Sequence, residues 1–343
     1  MSKLCYCCRT KLIHKKSASR EQLENGRVAS EEHILPNFLG GRLSSYELLC
    51  RKCNNDFGMR LDGALSNELI ISKVILIPIK RGKQFDRMIT GKTKEGVEFL
   101  VNKDGESIFA RPQVITDDDG NIDSVVAFDY EQAITILKEY KQRHPECNID
   151  SFLQKAKFET IQPGNISTIF FDDHTIGSDN FFKGVTKIAI NFALYHGVNM
   201  DLVVDTIRFI SKGGIDNIYS TFYYPINLES IHNWKKDELS HVIYLRGDKD
   251  YNILYCYIEL FNYANVVVIL NHNYNEENFQ ISYAWDVVNS TELVKNINLK
   301  LIYPEYWFNK NIGHCEMSFQ RGFEKVIDTI NRHRAFGVFK QKS

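Results

Sequence analysis

The spacing of apolar positions changes several times along the chain, and each change predicts an element. Downstream of Ser240, four segments (HVIYLRG, YNILYCYIELF, ANVVVILNHNY and FQISYAWDVV) are rich in β-branched and aromatic residues and are separated by Gly, Asp and Asn. They read as consecutive strands of an antiparallel meander. Ahead of them, DNFFKGVTKIAINFALYHGV at 179–198 carries the strongest helical period, and Asp201 to Ser211 forms a second helix closed by Gly213-Gly214. Tyr130 to His144 has helical spacing through Ile134, Ile136, Leu137 and Tyr140, and Met317 to Arg332 reads as a last helix. LIISKVILIPI, from Leu69 to Ile79, reads as a buried strand. GKTKEGVEFLVNKDGESIF at 91–109 reads as strands with turns at Lys94-Glu95-Gly96 and Asp104-Gly105, and DDDGN at 117–121 as a solvated turn.

The first 58 residues differ from everything after them. They are polar, punctuated by Gly40-Gly41 and Asn54-Asn55, and contain a charged stretch between Ile13 and Ser30 that reads as a loop or short exposed helix. The pattern as a whole predicts an α+β protein. A small Cys-rich module at 1–65 is followed by a β-rich connector at 66–125 and a larger mixed α+β domain with an antiparallel sheet at 126–343.

Charge sharpens this division. The formal net charge is only -1, yet residues 1–60 hold 11 Lys and Arg against 6 Asp and Glu, and the rest hold 31 against 37. A basic head on a mildly acidic body suits local binding of a polyanion. Eight cysteines stand at 5, 7, 8, 50, 53, 147, 256 and 315, five of them within the first 53 residues. No charged-then-apolar leader and no run of about 18 apolar residues are present, so the expected compartment is the cytoplasm. There, clustered cysteines signal a metal rather than disulfides.

Cys5-x-x-Cys8 and Cys50-x-x-Cys53 have the spacing of two zinc knuckles. A tight turn aims both thiolates of each pair at one ion, and two such turns supply four tetrahedral ligands. A site of four thiolates has no open position for water, so this zinc is expected to hold the module together rather than to do chemistry. Cys7 is the odd thiol, too close to Cys8 for a knuckle of its own.

Between the knuckles runs SEEHILPNFLGGRLSSYELLCRKCNNDFG, from Ser30 to Gly58. Its elements Glu32-His33-Ile34-Leu35-Pro36, Gly40-Gly41-Arg42 and Cys50-Arg51-Lys52-Cys53-Asn54 resemble the zinc-knuckled branch of the HNH endonuclease, or ββα-metal finger, superfamily. The resemblance is confined to roughly the first sixty residues. It implies a β-hairpin and helix with a divalent Mg2+ or Mn2+ between them. His33 would then be the general base, a role suited to an imidazole because its ordinary pKa lies near ~6.5. Glu32 and Asn54 would be the oxygen ligands, and Asp56 a spare donor close by. Arg42, Arg51 and Lys52 surround this motif as candidate phosphate contacts.

The sequence departs from the family at three points. The acidic position is usually Asp, Ser45 stands where many relatives place a bracing Asn, and the third position is Asn54 rather than His. The resemblance implies a DNA-cutting enzyme of the defence or restriction type, with DNA favoured over RNA, no membrane partner, and a C-terminal specificity or sensor domain. A homo-oligomer, or an activating partner or ligand acting through that domain, remains open. The alternative is a non-cleaving zinc-knuckle module that binds nucleic acid or protein.

Overall fold

A computed structural model of the chain describes residues 3–69, 89–92, 97–101, 107–117, 119–157, 176–212, 219–224, 231–233, 235, 238–297 and 299. The chain divides into two compact units, Met1–Lys80 with Thr175–Ser343, and Arg81–His174. This division runs along different lines from the three segments expected from the sequence, because the module at the N-terminus and the sheet near the C-terminus share one unit. The strand expected at 69–79 and the helix expected at 317–332 lie outside the described residues.

The second unit is built from local antiparallel pairs. Strands β3 (Ile89–Lys92), β4 (Glu98–Val101) and β5 (Ser107–Phe109) follow one another in a three-stranded sheet. β6 (Gln113–Thr116) and β7 (Ile122–Val126) form a hairpin. Its turn is the expected one, with the Asp117 carboxylate accepting from the backbone of Asp119 and Asn121, and Gly120 at φ +82°. Among the described residues of this unit, helix α4 (Tyr130–Arg143), capped by Asp129, and helix α5 (Ile149–Lys155), capped by Asn148, follow the strands.

The first unit opens with a short helix α1 (Arg20–Glu24), started by a capping box between Ser19 and Gln22. Strand β1 (Ala29–His33) pairs antiparallel with β2 (Ser44–Cys50), and β2 runs directly into helix α2 (Arg51–Phe57). The helical path continues through one wide π turn, Gly58–Asp62, into α3 (Gly63–Glu68). Between β1 and β2 the chain turns at Gly40, whose φ of +97° a side chain would strain, and Gly41 follows with Leu35 packed where its Cβ would be.

Helix α6 (Asp179–Tyr195), started by Ser178, is the centre of this unit, buried on nearly every face from Lys183 to Ala193. Most of the buried surface is apolar, through Val185, Ile188, Ala189, Ile190, Phe192 and Ala193, as a helix buried all round requires, and Lys183, Thr186, Lys187 and Asn191 are its buried polar exceptions. Gly184 allows the closest approach, since a Cβ there would stand 2.6 Å from Leu65 and 3.0 Å from the Leu61 carbonyl. Helix α7 (Val204–Ser211) packs beside α6.

A six-stranded antiparallel sheet covers α6. It comprises β8 (Ser220–Phe222), β9 (Ser240–Asp248), β10 (Ile253–Leu260), β11 (Ala264–Asn271), β12 (Phe279–Asp286) and β13 (Thr291–Leu293). The spatial order is β13-β12-β9-β10-β11-β8. This corrects the expected meander, because β12 returns to pair with β9 in the Greek-key order. Two features explain the return. The free edge of β11 is taken by β8, and the connection after β11 crosses the β9–β10 turn, where the Tyr274 N–H donates to the Asn252 carbonyl and Tyr274 and Phe279 occupy the space beside Gly247. One face of the sheet, through Ile243, Leu245, Leu254, Cys256 and Ile258, joins the core around α6 and the N-terminal hairpin. The other carries Tyr244, Tyr255, Tyr257, Val267 and Ile269.

Candidate metal centre and active site

The two knuckles meet. The ligand atoms of Cys5, Cys8, Cys50 and Cys53 all lie within 4.8 Å of one another, and Cys8 Sγ is 3.7 Å from Cys50 Sγ. A tetrahedral zinc with Zn–S bonds of about 2.3 Å would set its sulfurs about 3.8 Å apart, so the group is compatible with zinc. The first knuckle is shaped by Arg9 at φ +61°, with the Arg9 N–H donating to the Cys5 carbonyl and the Cys5 N–H to that of Thr10. The second places Cys50 at the end of β2 and Cys53 in the first turn of α2. Hydrogen bonds within the group pull the Cys50 thiol down to about 2 and push Cys5 up to about 12 and Cys53 far up. Such crowded thiols cannot all ionise unless a cation lies among them. Cys7 adjoins the group: its thiol is hydrogen-bonded with that of Cys53, a bond that brings it down to about 7, and its sulfur is 3.6 Å from Ser211 Oγ on α7.

Strand β1 carries the motif. Its register against β2 shifts between Ser30 and Glu32, so a bulge stands immediately before Glu32-His33. Bulges re-aim side chains at such points. Along the strand Glu31 is exposed, Glu32 is buried and His33 is half-buried. Glu31 accepts from Ser44 Oγ at 2.8 Å and Tyr46 Oη at 3.1 Å, bonds that hold its carboxyl below the usual range. His33 Nδ1 is buried and has no hydrogen-bond partner among the described residues. The imidazole also lies within electrostatic reach of Glu31 and Asp62. Across from the strand, Asn54 on α2 donates its side-chain amide to Ser30 Oγ at 3.1 Å and to the Glu31 carbonyl at 2.7 Å. Both bonds use the nitrogen and leave Oδ1 as an acceptor.

Glu32 is buried in the core. Its Oε1 meets Lys187 Nζ at 2.7 Å and accepts from Asn191 Nδ2 at 2.7 Å. Lys187 also reaches Asp62, at 2.8 and 3.0 Å, and Tyr6 Oη donates to Asn191 Oδ1 at 2.9 Å. One ammonium therefore faces two carboxylates. Burial raises the pKa of both Glu32 and Asp62 against the pull of Lys187. Burial works against the Lys187 charge too, but Glu32 and Asp62 outweigh it and keep the ammonium protonated. Burial and the charge of Glu32 hold Tyr6 far above the phenol range, so it remains a donor.

The remaining candidates are spread around this core. Arg42 and Lys52 are exposed, whereas Arg51 is partly buried and donates to the Leu23 carbonyl. Asp56 is paired with Arg60 at 2.7 Å. Ser45, in the place of the bracing Asn, sits opposite Glu32 in the hairpin. Sequence reasoning did not find Tyr6, Asp62 or Asn191. It noted Lys187 only as part of a helix, although Lys183, Lys187 and Asn191 form a polar stripe at four-residue spacing within an apolar run.

Residues 5–70 match the family model described as HNH endonuclease. No curated protein and no solved structure matches the chain. The matched stretch contains both knuckles, the β1–β2 hairpin, α2 and α3, and ends well before α6. The likeness to a nuclease family is thus confined to the N-terminal part. No helix among the described residues is long and apolar enough to cross a membrane.

Proposed function

We propose that the chain is a metal-dependent endonuclease of the HNH type that hydrolyses phosphodiester bonds of DNA. The observation that carries this reading is the unpartnered, buried Nδ1 of His33 within the stretch that matches the family. Buried polar atoms are almost always hydrogen-bonded, and one that is not calls for an explanation, such as a catalytic role. His33 takes the proton from the attacking water. The water oxygen bonds to phosphorus as the bond to the leaving sugar oxygen breaks, and that oxygen is protonated from solvent. Glu32 and Asn54 would hold Mg2+ or Mn2+, a hard ion suited to one carboxylate, one amide oxygen and several waters. When bound, the ion supplies charge neutralisation at the scissile phosphate and the leaving oxygen. The exposed Arg42 and Lys52, with Arg51 behind them, supply phosphate contacts. In this reading the enzyme is of the defence or restriction type and its downstream region sets specificity or senses a signal; the contact of α6 with Glu32 supports a role of that region at the site.

The test uses zinc-loaded protein with supercoiled plasmid, linear duplex and RNA in Mg2+, Mn2+ or Ni2+. DNA is expected to be cut, and His33→Ala is expected to cut about 10²–10⁴-fold more slowly at unchanged zinc content. Equal cleavage by the variant removes His33 from its role. Binding of DNA with no cleavage in any of these metals would overturn the nuclease reading in favour of a non-cleaving zinc-knuckle module. The observation on that side is the hold of Lys187 on Glu32.

A further inference from the structure

An ammonium in the middle of a fully buried helix persists only where carboxylates meet it. Lys187 is 1% exposed and meets two, one from β1 and one from the π turn. Beside Glu32 such a group can act in opposite senses, by competing with a divalent cation for the carboxylate or by fixing the carboxylate for that cation.

Three features favour fixing. Both the Lys187 ion pair and the Asn191 hydrogen bond from α6, each 2.7 Å long, are made at Oε1 of Glu32. Two carboxylates against one ammonium leave the cluster short of one positive charge, next to an imidazole whose Nδ1 has no partner. The Asn191 amide is itself oriented, because Tyr6 donates to its oxygen and so turns the NH2 toward Glu32. Tyr6 stands between Cys5 and Cys7 in the first knuckle, which joins the cysteine cluster to Glu32 through two hydrogen bonds.

We infer that Lys187 and Asn191 are positioning residues of the nuclease site, anchoring Glu32 by Oε1 so that Oε2 is left for the divalent cation. The site is thereby completed by a helix more than 100 residues beyond the end of the family match. This inference rests on the nuclease reading for the identity of the site. Its outcome is nevertheless separable, because binding of the metal is measured apart from cleavage.

The experiment measures Mn2+ binding to the full-length, zinc-loaded chain by the electron paramagnetic resonance of free Mn2+, alongside plasmid cleavage. The variants are Lys187→Met, Lys187→Arg, Asn191→Leu and the charge-balanced pair Lys187→Met with Asp62→Asn. The last guards against failure to fold, since it removes one charge of each sign; zinc content and the thermal transition check it. Groups that orient metal ligands are typically worth about 10- to 100-fold in affinity or activity. A loss of that size is expected for Lys187→Met, for Asn191→Leu and for the balanced pair, with Lys187→Arg within a few-fold of the parent. Unchanged or tighter Mn2+ binding by the folded balanced pair would overturn the inference and make Lys187 a competitor, and so would a parent that binds no Mn2+. A parent whose Mn2+ binding depends on Lys187 but which cuts nothing would leave the positioning role standing and remove the nuclease reading alone.

Discussion

Glu32 in the N-terminal hairpin and Glu259 in the sheet are both buried beside a basic side chain, but they are satisfied to different degrees. Glu259 Oε1 accepts from Asn262 Nδ2 at 2.8 Å and Oε2 from Tyr257 Oη at 2.7 Å, while His232 Nε2 reaches both oxygens at 3.2 and 3.0 Å. Glu32 is held by one oxygen and shares its ammonium with Asp62. The shifts follow. Burial raises the Glu259 pKa but the His232 bond and charge outweigh it and bring it below the carboxylate range, whereas burial prevails at Glu32 and raises it. The imidazoles repeat the contrast, with both ring nitrogens of His232 engaged and Nδ1 of His33 unpartnered. A saturated buried charge stabilises a fold; a half-saturated one is kept where something else is to bind.

The largest test of that contrast is removal of zinc. Structural zinc in small modules contributes apparent binding energies of about 10–16 kcal/mol to folding. Tyr6, the anchor of Asn191, lies in the first knuckle. Chelation, or Cys50→Ser, is expected to abolish hydrogen-exchange protection in 29–33 and 44–50 and to release Glu32 from its hold. The amides of β10 around Glu259 should keep theirs. Equal loss in both places, read by mass spectrometry, would merge the two centres into one cooperative element.

A smaller effect separates the two glutamates directly. Glu259→Gln leaves His232 buried without its counter-charge, and breaking a buried pair in this way costs about 3–5 kcal/mol. Glu32→Gln instead leaves Lys187 and Asp62 in a one-to-one pair. Its stability in urea should stay within about 1 kcal/mol of the parent while Mn2+ binding falls, as expected where function and stability oppose each other. Comparable destabilisation by both substitutions would show that Glu32 is as structural as Glu259.

These centres were legible in the sequence to different extents, for physical reasons. The knuckles and the hairpin between them depend on local spacing, and Cys5, Cys8, Cys50 and Cys53 could be grouped from their separations alone. The stripe Lys183, Lys187 and Asn191 was also visible, but its partner was not, since Glu32 is 155 residues from Lys187 and no local pattern specifies that pairing. The order of the sheet was hidden in the same way. The pairing of β12 with β9 follows from a three-residue strand, Ser220–Phe222, closing the other edge, and so short a strand has no period to read. His232 lies outside any strong pattern and gains its meaning only from Glu259, which the fold brings to it.

The smallest expected effect is a pH dependence that belongs to Glu259 and His232. Burial opposes the charge of His232, but its bond to Glu259 and the attraction of that carboxylate raise its pKa above the ordinary 6.5. A raised histidine contributes stability that is full below about 6.5 and is lost as pH rises through the folded value, because the folded state then holds a proton the unfolded state has released. Glu259 is lowered from 4.5, so its contribution is full above that value and is lost as pH falls through the folded one. The pair therefore contributes most between about pH 4.5 and 6.5, with one limb falling on each side. Urea midpoints measured across this range should show that maximum in the parent and in Glu32→Gln, where His232 and Glu259 are untouched. Glu259→Gln should remove the acidic limb, and with the counter-charge gone burial and the charge of Lys295 outweigh the backbone bond to Asn233, which lowers the His232 pKa and reverses the alkaline limb so that stability rises with pH. A maximum that persists in Glu259→Gln would place the titration elsewhere and leave the saturated pair without influence on stability.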